Sequence, residues 1–287
     1  MNGYLPTLPE DLRRCRKMTH LSLVYTHTAM LPAWVKEFTQ LQYLHIEGTA
    51  TASLESLPQS MFDKMDAFAF LHLGIHPMIP VLPSFKGLTS LKSLTLALLF
   101  SLEELPSFEN LHNVERIVLT SLVTIVSLPD LTHLTRLTNF AVADRGSWCC
   151  NGFLGDCDLS SPHCRLHPLW GTPAASCLAV NRTDDRPTRG TLEVLKKYSN
   201  GICGALILPG TAEGPPTEVG MDQCNGTLYR QCQVPGHPEA MCYNARFMGI
   251  SCSENPHPIE MRRRQILRGV GEPCHPIREA WLGCNSP

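Results

Sequence analysis

Six times in the first 147 residues the chain spells apolar-x-x-apolar-x-apolar. The leading anchors are Met18, Leu41, Phe68, Leu91, Val114 and Leu137. The alternating triplets that follow are Leu21-Ser22-Leu23, Leu44-His45-Ile46, Leu71-His72-Leu73, Leu94-Thr95-Leu96, Ile117-Val118-Leu119 and Phe140-Ala141-Val142. Alternation of this kind sends one set of side chains to a core and the other to the opposite face, so each triplet predicts a short strand. Twelve to fourteen residues before each triplet stands Leu-Pro, at Leu8, Leu31, Leu57, Leu82, Leu105 and Leu128, in steps of 23, 26, 25, 23 and 23 residues. Proline cannot extend a ladder, so each pair marks the turn into a return segment. One strand and one return cannot bury their own leucines. The units must therefore stack, with their strands forming a parallel sheet on the concave side.

This period resembles that of the leucine-rich repeat. Leucine usage agrees, with 28 in residues 1–147 and 12 in the remainder. The resemblance implies an α/β repeat: a leucine-rich-repeat solenoid of about six irregular units. The asparagine that this family places after each strand is missing, and Thr26, Thr49, His76, Leu99, Leu122 and Arg145 stand there instead. Backbone groups at that turn must find other partners.

Residues beside the apolar anchors point to the concave face. The rows read His20, Ser22, Val24; Tyr43, His45, Glu47; Phe70, His72, Gly74; Ser93, Thr95, Ala97; Arg116, Val118, Thr120; and Asn139, Ala141, Ala143. Aromatic and basic groups on a rigid sheet suit protein recognition. Tyr43, His45, Glu47, Phe70, His72 and Arg116 are the candidate binding residues. His45 and His72 fall on adjacent strands at roughly 5 Å. Besides Glu47 no acidic group converges with them, so no metal is assigned.

At Arg145-Gly146-Ser147 the composition changes. Residues 148–287 hold 14 of the 23 Pro and 15 of the 20 Gly. Twelve of the 13 Cys lie in the last 139 residues: Cys149, Cys150, Cys157, Cys164, Cys177, Cys203, Cys224, Cys232, Cys242, Cys252, Cys274 and Cys284. That density is near the roughly 8–10% typical of a disulfide scaffold. Zinc would require ligands at C-x₂₋₄-C spacing, and no such pair exists. Six disulfides are expected, with pairing open and Cys15 left over. We place domains at 1–147 and 148–287, the second a disulfide-rich, loop-dominated module with short helices near Thr191–Tyr198 and Pro258–Leu267. A solenoid needs a cap over its last layer, and Trp148 is placed to supply it.

Asn181-Arg182-Thr183 and Asn225-Gly226-Thr227 are glycosylation acceptor sequons. With the cysteines they point to an oxidising, extracellular setting, either secreted or on the outer face of a membrane protein. Met1 to Glu10 has no charged start followed by an apolar run. The extracellular reading therefore expects an upstream leader, and any membrane anchoring would run through a segment outside this chain.

The carboxyl end carries Cys274-His275-Pro276 and then Glu279-Ala280-Trp281-Leu282-Gly283-Cys284. With the Trp148-Cys149-Cys150-Asn151-Gly152-Phe153 opening and the spaced cysteines between, it resembles the oomycete WLGC-domain leucine-rich-repeat proteins. That resemblance implies surface exposure and carries over no catalytic residue.

Charge narrows the function classes. The 24 Lys+Arg and 26 Asp+Glu give a net −2, and 17% charged is below the usual figure of about 25%. No basic excess exists for nucleic acid, and Arg262-Arg263-Arg264 reads as a solvated helix face. No nucleophile elbow, zinc-protease motif, P-loop or dinucleotide fingerprint occurs. Asp156 and Asp158 flank Cys157 and read as turn residues. The expectation is no enzyme and no cofactor. Instead, a protein or peptide partner binds the concave face, or else the cysteine-rich module has a structural, assembly role with the repeats as spacer.

Overall fold

The computed structural model describes residues 4–49, 51–144, 146–168, 171–181, 185–204, 214–246, 248–269 and 271–284. The chain forms two compact units, residues 4–209 and 210–287. The sequence boundary at 147/148 therefore falls inside the first unit, because residues 148–204 pack onto the repeats.

The first unit is a solenoid. Its strands are β1 (His20–Val24), β2 (Tyr43–Glu47), β3 (Phe70–Gly74), β4 (Ser93–Ala97), β5 (Arg116–Thr120) and β6 (Asn139–Ala143). They pair in chain order as one six-stranded parallel sheet. Every step is in register: Leu21, Leu44, Leu71, Leu94, Ile117 and Phe140 form one core column. Leu23, Ile46, Leu73, Leu96, Leu119 and Val142 form the next. A slip of one residue would turn both columns to the other face, so burial itself locks the register.

The turn after the strands solves the missing-asparagine problem with backbone. Tyr25, Ile75, Leu98, Ser121 and Asp144, each directly following a strand, take left-handed φ values of 53° to 60°. The N–H groups of Tyr25, Gly48, Ile75, Leu98 and Ser121 donate to the last carbonyl of the next strand, at 2.8–3.2 Å. Each turn thereby extends the ladder by one bond. At the third turn His76 supplies a side-chain bridge as well. Its Nδ1 accepts from Leu54 N–H (3.1 Å) and its Nε2–H donates to the Ile46 carbonyl (3.2 Å).

The return segments carry no α-helix among the described residues. Two contain 3₁₀ turns (Glu10–Arg14 and Ala33–Glu37) and the others single hydrogen-bonded turns. The α part of the α/β expectation is thus absent from the array. With units of 23–26 residues that also spend a Leu-Pro and a strand, the return has little chain left for a helix. Phe62, Phe85 and Phe108 line up along these returns, the first pair edge-on with ring centroids 6.0 Å apart and the second stacked at 6.1 Å. Gly87 permits the tight layer spacing, since a Cβ there would lie 1.9 Å from the Phe62 carbonyl oxygen.

Residues 148–204 close the far end. Trp148, Phe153, Leu195 and Ile202 are buried in the same apolar cluster as the repeats. Helix α1 (Arg189–Lys197) is capped by Thr188, which accepts from Thr191 N–H. Thr191 Oγ1 also accepts from Leu131 N–H (2.9 Å), and Asp130 Oδ1 accepts from the hydroxyls of Thr132, Thr188 and Thr191. Beyond the helix, Gly204 N–H donates to the Val142 carbonyl (2.8 Å) and occupies the open edge of β6. His167 Nε2–H donates to buried Asp144 (2.6 Å), whose other oxygen accepts from Ser121 (2.5 Å). Three disulfides brace this segment: Cys149–Cys203, Cys150–Cys164 and Cys157–Cys177.

The second unit holds α2 (Glu218–Cys224), β7 (Gln231–Val234), β8 (His237–Ala245), β9 (Gly249–Ser253) and α3 (Pro256–Arg268). The three strands form an antiparallel sheet, a feature the sequence reading did not foresee. Pro235-Gly236 makes the first turn, with Gly236 at φ 81°. Helices α1 and α3 each lie within two residues of their expected spans. Cys224–Cys242, Cys232–Cys252 and Cys274–Cys284 are bonded. Beneath α3, Arg262 is buried, pairs with Glu279 (2.6 Å) and lies over the Tyr229 ring. Trp281 Nε1–H donates to the Tyr229 carbonyl (3.1 Å). Among the described residues no helix is long and apolar enough to cross a membrane.

Candidate functional site

Parallel register brings five of the six candidate face residues into one cluster on β2 and β3. Tyr43 stacks on Phe70, with centroids 4.4 Å apart and planes 7° from parallel. His20 extends the stack from β1 at 5.7 Å. One row on, His45 and His72 are paired across the strands with ring centroids 4.2 Å apart. His45 Nε2 donates to Glu47 Oε2 (3.1 Å), and its Nδ1 lies 3.4 Å from the Tyr43 hydroxyl. Arg116 stands two strands from His72, where its Nη1 donates to Thr95 Oγ1 (3.1 Å).

Burial departs from a simple exposed face. Tyr43 (4% exposed), His45 and Glu47 (5% each) are buried, while Phe70, His72 and Arg116 are half-buried. Alternation tells which side a residue faces. It does not tell how far rings on neighbouring strands cover each other, and here they stack. His20, Ser22 and Asn139 are the exposed members of the face, and Val118 and Thr120 are half-buried.

The electrostatics follow. Burial, reinforced by the charges of His45, Arg116 and His76, holds the His72 imidazole well below its ordinary proton affinity. Burial likewise pushes His76 down to about 4, against the opposing pull of the Ile46 carbonyl. The His45 and His72 rings, tilted 40° to each other with Glu47 at one end, bring two imidazoles and a carboxylate together, a donor set suited to a Lewis acid.

Among the described residues, two groups bring three metal-ligating donors within 4.8 Å of one another: His45, Glu47 and His72, and Cys224, Cys232 and Cys242. The second group has no thiolate to offer, because all three sulfurs are bonded in disulfides. Beside the first lies Gly74, a face position to which the sequence alone assigns no role. A Cβ at Gly74 would lie 3.1 Å from His72 Nε2 and 3.5 Å from Glu47 Cγ. The missing side chain leaves room where these two groups meet.

All twelve expected half-cystines are paired, and Cys15 is an exposed thiol. The six bonds fit an extracellular location. Asn181 is exposed, while Arg182 and Thr183 of its sequon lie outside the described residues. Asn225 is exposed at the left-handed end of α2 (φ 47°).

Residues 219–285 match the WLGC domain family. No curated protein matches the chain.

Proposed function

We propose that the protein is an extracellular interaction module. In this reading the array is a leucine-rich repeat, akin to the repeat proteins of oomycetes that carry the WLGC domain. It engages a protein or peptide partner through its sheet face, has no catalytic role, and is glycosylated at Asn181 and Asn225. The observation that carries the reading is the six-stranded in-register ladder. It holds aromatic, imidazole and guanidinium groups at fixed spacing on a frame with few ways to relax. Preorganised side chains lose little entropy on binding, which favours recognition. The sulfur braces suit a setting where thiols are oxidised.

The test is capture from a cell-surface extract by the oxidised full chain. Alanine at Phe70 and Arg116 is compared with alanine at Lys64 and Lys86, which are exposed and lie away from the sheet. Loss of captured protein with the first pair alone supports the reading; an unchanged set opposes it.

A second reading has a specific support. Residues 210–287 form their own compact unit with three disulfides, and nearly all of it falls in the WLGC match. That unit could be the working part, in an assembly role, with the repeats as spacer. Leu267 and Ile277 are its most exposed large apolar residues. Serine at both would then abolish capture while the face variants leave it intact.

A further inference from the structure

We propose that His45, Glu47 and His72 form a binding site for a single divalent transition-metal ion of the zinc class, seated over Gly74 on the sheet face. The site is independent of the interaction reading above. Its donors are two imidazole nitrogens and one carboxylate oxygen, a set that suits zinc and its neighbours in the first transition row.

Geometry is the first ground. The three donor atoms already lie within 4.8 Å of one another. A tetrahedral ion with bonds of about 2.0–2.1 Å holds its ligand atoms about 3.3 Å apart. His45 Nε2 and Glu47 Oε2, at 3.1 Å, are already at that separation. Closing the two sides that involve His72 asks a movement of at most about 1.5 Å, within reach of side-chain rotation.

The second ground is how the backbone builds the site. His45 and Glu47 are two residues apart on one strand, and so on one face. Parallel register sets His72 opposite His45 and Gly74 opposite Glu47. Any side chain at the fourth corner would occupy the space between His72 Nε2 and Glu47. Glycine there is costly in a strand, where it packs nothing. A site that needs the corner open accounts for it.

The third ground is the outer contacts. When His45 Nε2 takes the ion, its proton belongs on Nδ1, which faces the Tyr43 hydroxyl oxygen at 3.4 Å. That oxygen can accept it and fix the tautomer, as hydrogen-bond partners of metal-bound histidines do. Tyr43 is held in turn by its stack on Phe70. Three protein ligands leave at least one coordination position for water or a partner's donor group. Arg116 is the opposing charge near the site.

The experiment is titration of the oxidised, metal-stripped full chain with Zn²⁺ by calorimetry, repeated with Co²⁺ to follow its visible ligand-field absorption. We expect one equivalent bound by the parent chain. Glu47→Gln and His72→Asn each weaken it by more than about 100-fold and abolish the Co²⁺ band. Gly74→Val does the same although all three donors remain. His133→Asn, which removes a half-buried His away from the site, near Asp130 (3.9 Å), changes nothing. Binding by the parent chain no tighter than by His72→Asn overturns the proposal, and so does a bound equivalent that survives Glu47→Gln. If Glu47→Gln does not fold, the half-buried His72→Asn carries the comparison alone.

Discussion

His76 offers a prediction whose size follows from the structure. The side chain is fully buried between two layers of the array. Its Nδ1 accepts from Leu54 N–H and its Nε2–H donates to the Ile46 carbonyl, which leaves neither nitrogen for an extra proton. Burial brings its pKa from 6.5 to about 4. Between those values the unfolded chain binds a proton that the folded chain refuses. Stability from this group is therefore fully present above pH 6.5 and is drained as pH falls toward 4. The gap is worth about 3 kcal/mol in total, with a slope of up to about 1.4 kcal/mol per pH unit. The perturbation is His76→Gln, whose amide can both accept from Leu54 and donate to Ile46 but does not titrate. The assay is urea unfolding of the oxidised parent and variant at steps from pH 7.5 to pH 4. His163, also held below its ordinary value, is common to both chains and cancels in the difference, while His72, which feels the His76 charge as a minor cause of its own lowered value, cancels in its larger part, which comes from burial. Near neutrality the two should lie within about 1–2 kcal/mol. At pH 4 the variant should have gained about 3 kcal/mol relative to the parent. A difference that stays flat across that range refutes the buried neutral imidazole.

Other outcomes follow from the packing. Gly87→Ala puts a methyl group 1.9 Å from the Phe62 carbonyl oxygen, so the layers must separate. We expect a loss of about 3 kcal/mol, read as a clear fall in Tm, and an unchanged Tm would contradict the layer spacing. Asp130 is held down at about 2: burial pulls the other way, but the bonds from Thr132, Thr188 and Thr191 outweigh it. Asp130→Ala should release α1, speeding amide exchange at 189–197 while β3 and β4 stay protected; equal exchange in parent and variant counts against that anchor. In the second unit, Glu279→Leu strands the buried Arg262 charge and should cost about 3–5 kcal/mol. Joining Arg262→Met to it should recover part of that, and a double variant as unstable as the single one would show that the pair is not what matters.

The strands were legible because their pattern is redundant. Six copies of one spacing leave a single register that buries both apolar columns, and the structure uses it. Trp148 as lid and the cysteines as braces were legible for a related reason: the last layer has nowhere else to hide its leucines. The antiparallel sheet of the second unit left weaker traces. Its signal is a Pro-Gly turn between Gln231–Val234 and His237–Ala245, but proline and cysteine within those runs mask the alternation. The Ser121–Asp144–His167 bridge left none, since its members share no spacing and meet only when the cap folds back on β6. At the candidate site, the row positions of Tyr43, His45, Phe70 and His72 were readable. Their burial was not, because it depends on ring stacking between strands that are 27 residues apart in the chain. Gly74 reads as a gap in the sequence and becomes informative only beside Glu47 and His72.

The central claim is that leucine layers are closed by a sulfur-braced lid, in a molecule folded under oxidising conditions. Non-reducing peptide mapping of the full chain by mass spectrometry tests it directly. The expected bonds are Cys149–Cys203, Cys150–Cys164 and Cys157–Cys177 in the lid, and Cys224–Cys242, Cys232–Cys252 and Cys274–Cys284 beyond it, with Cys15 reactive toward alkylating reagent. Free thiols throughout residues 149–284, or bonds joining the lid to the second unit in place of these, would contradict it.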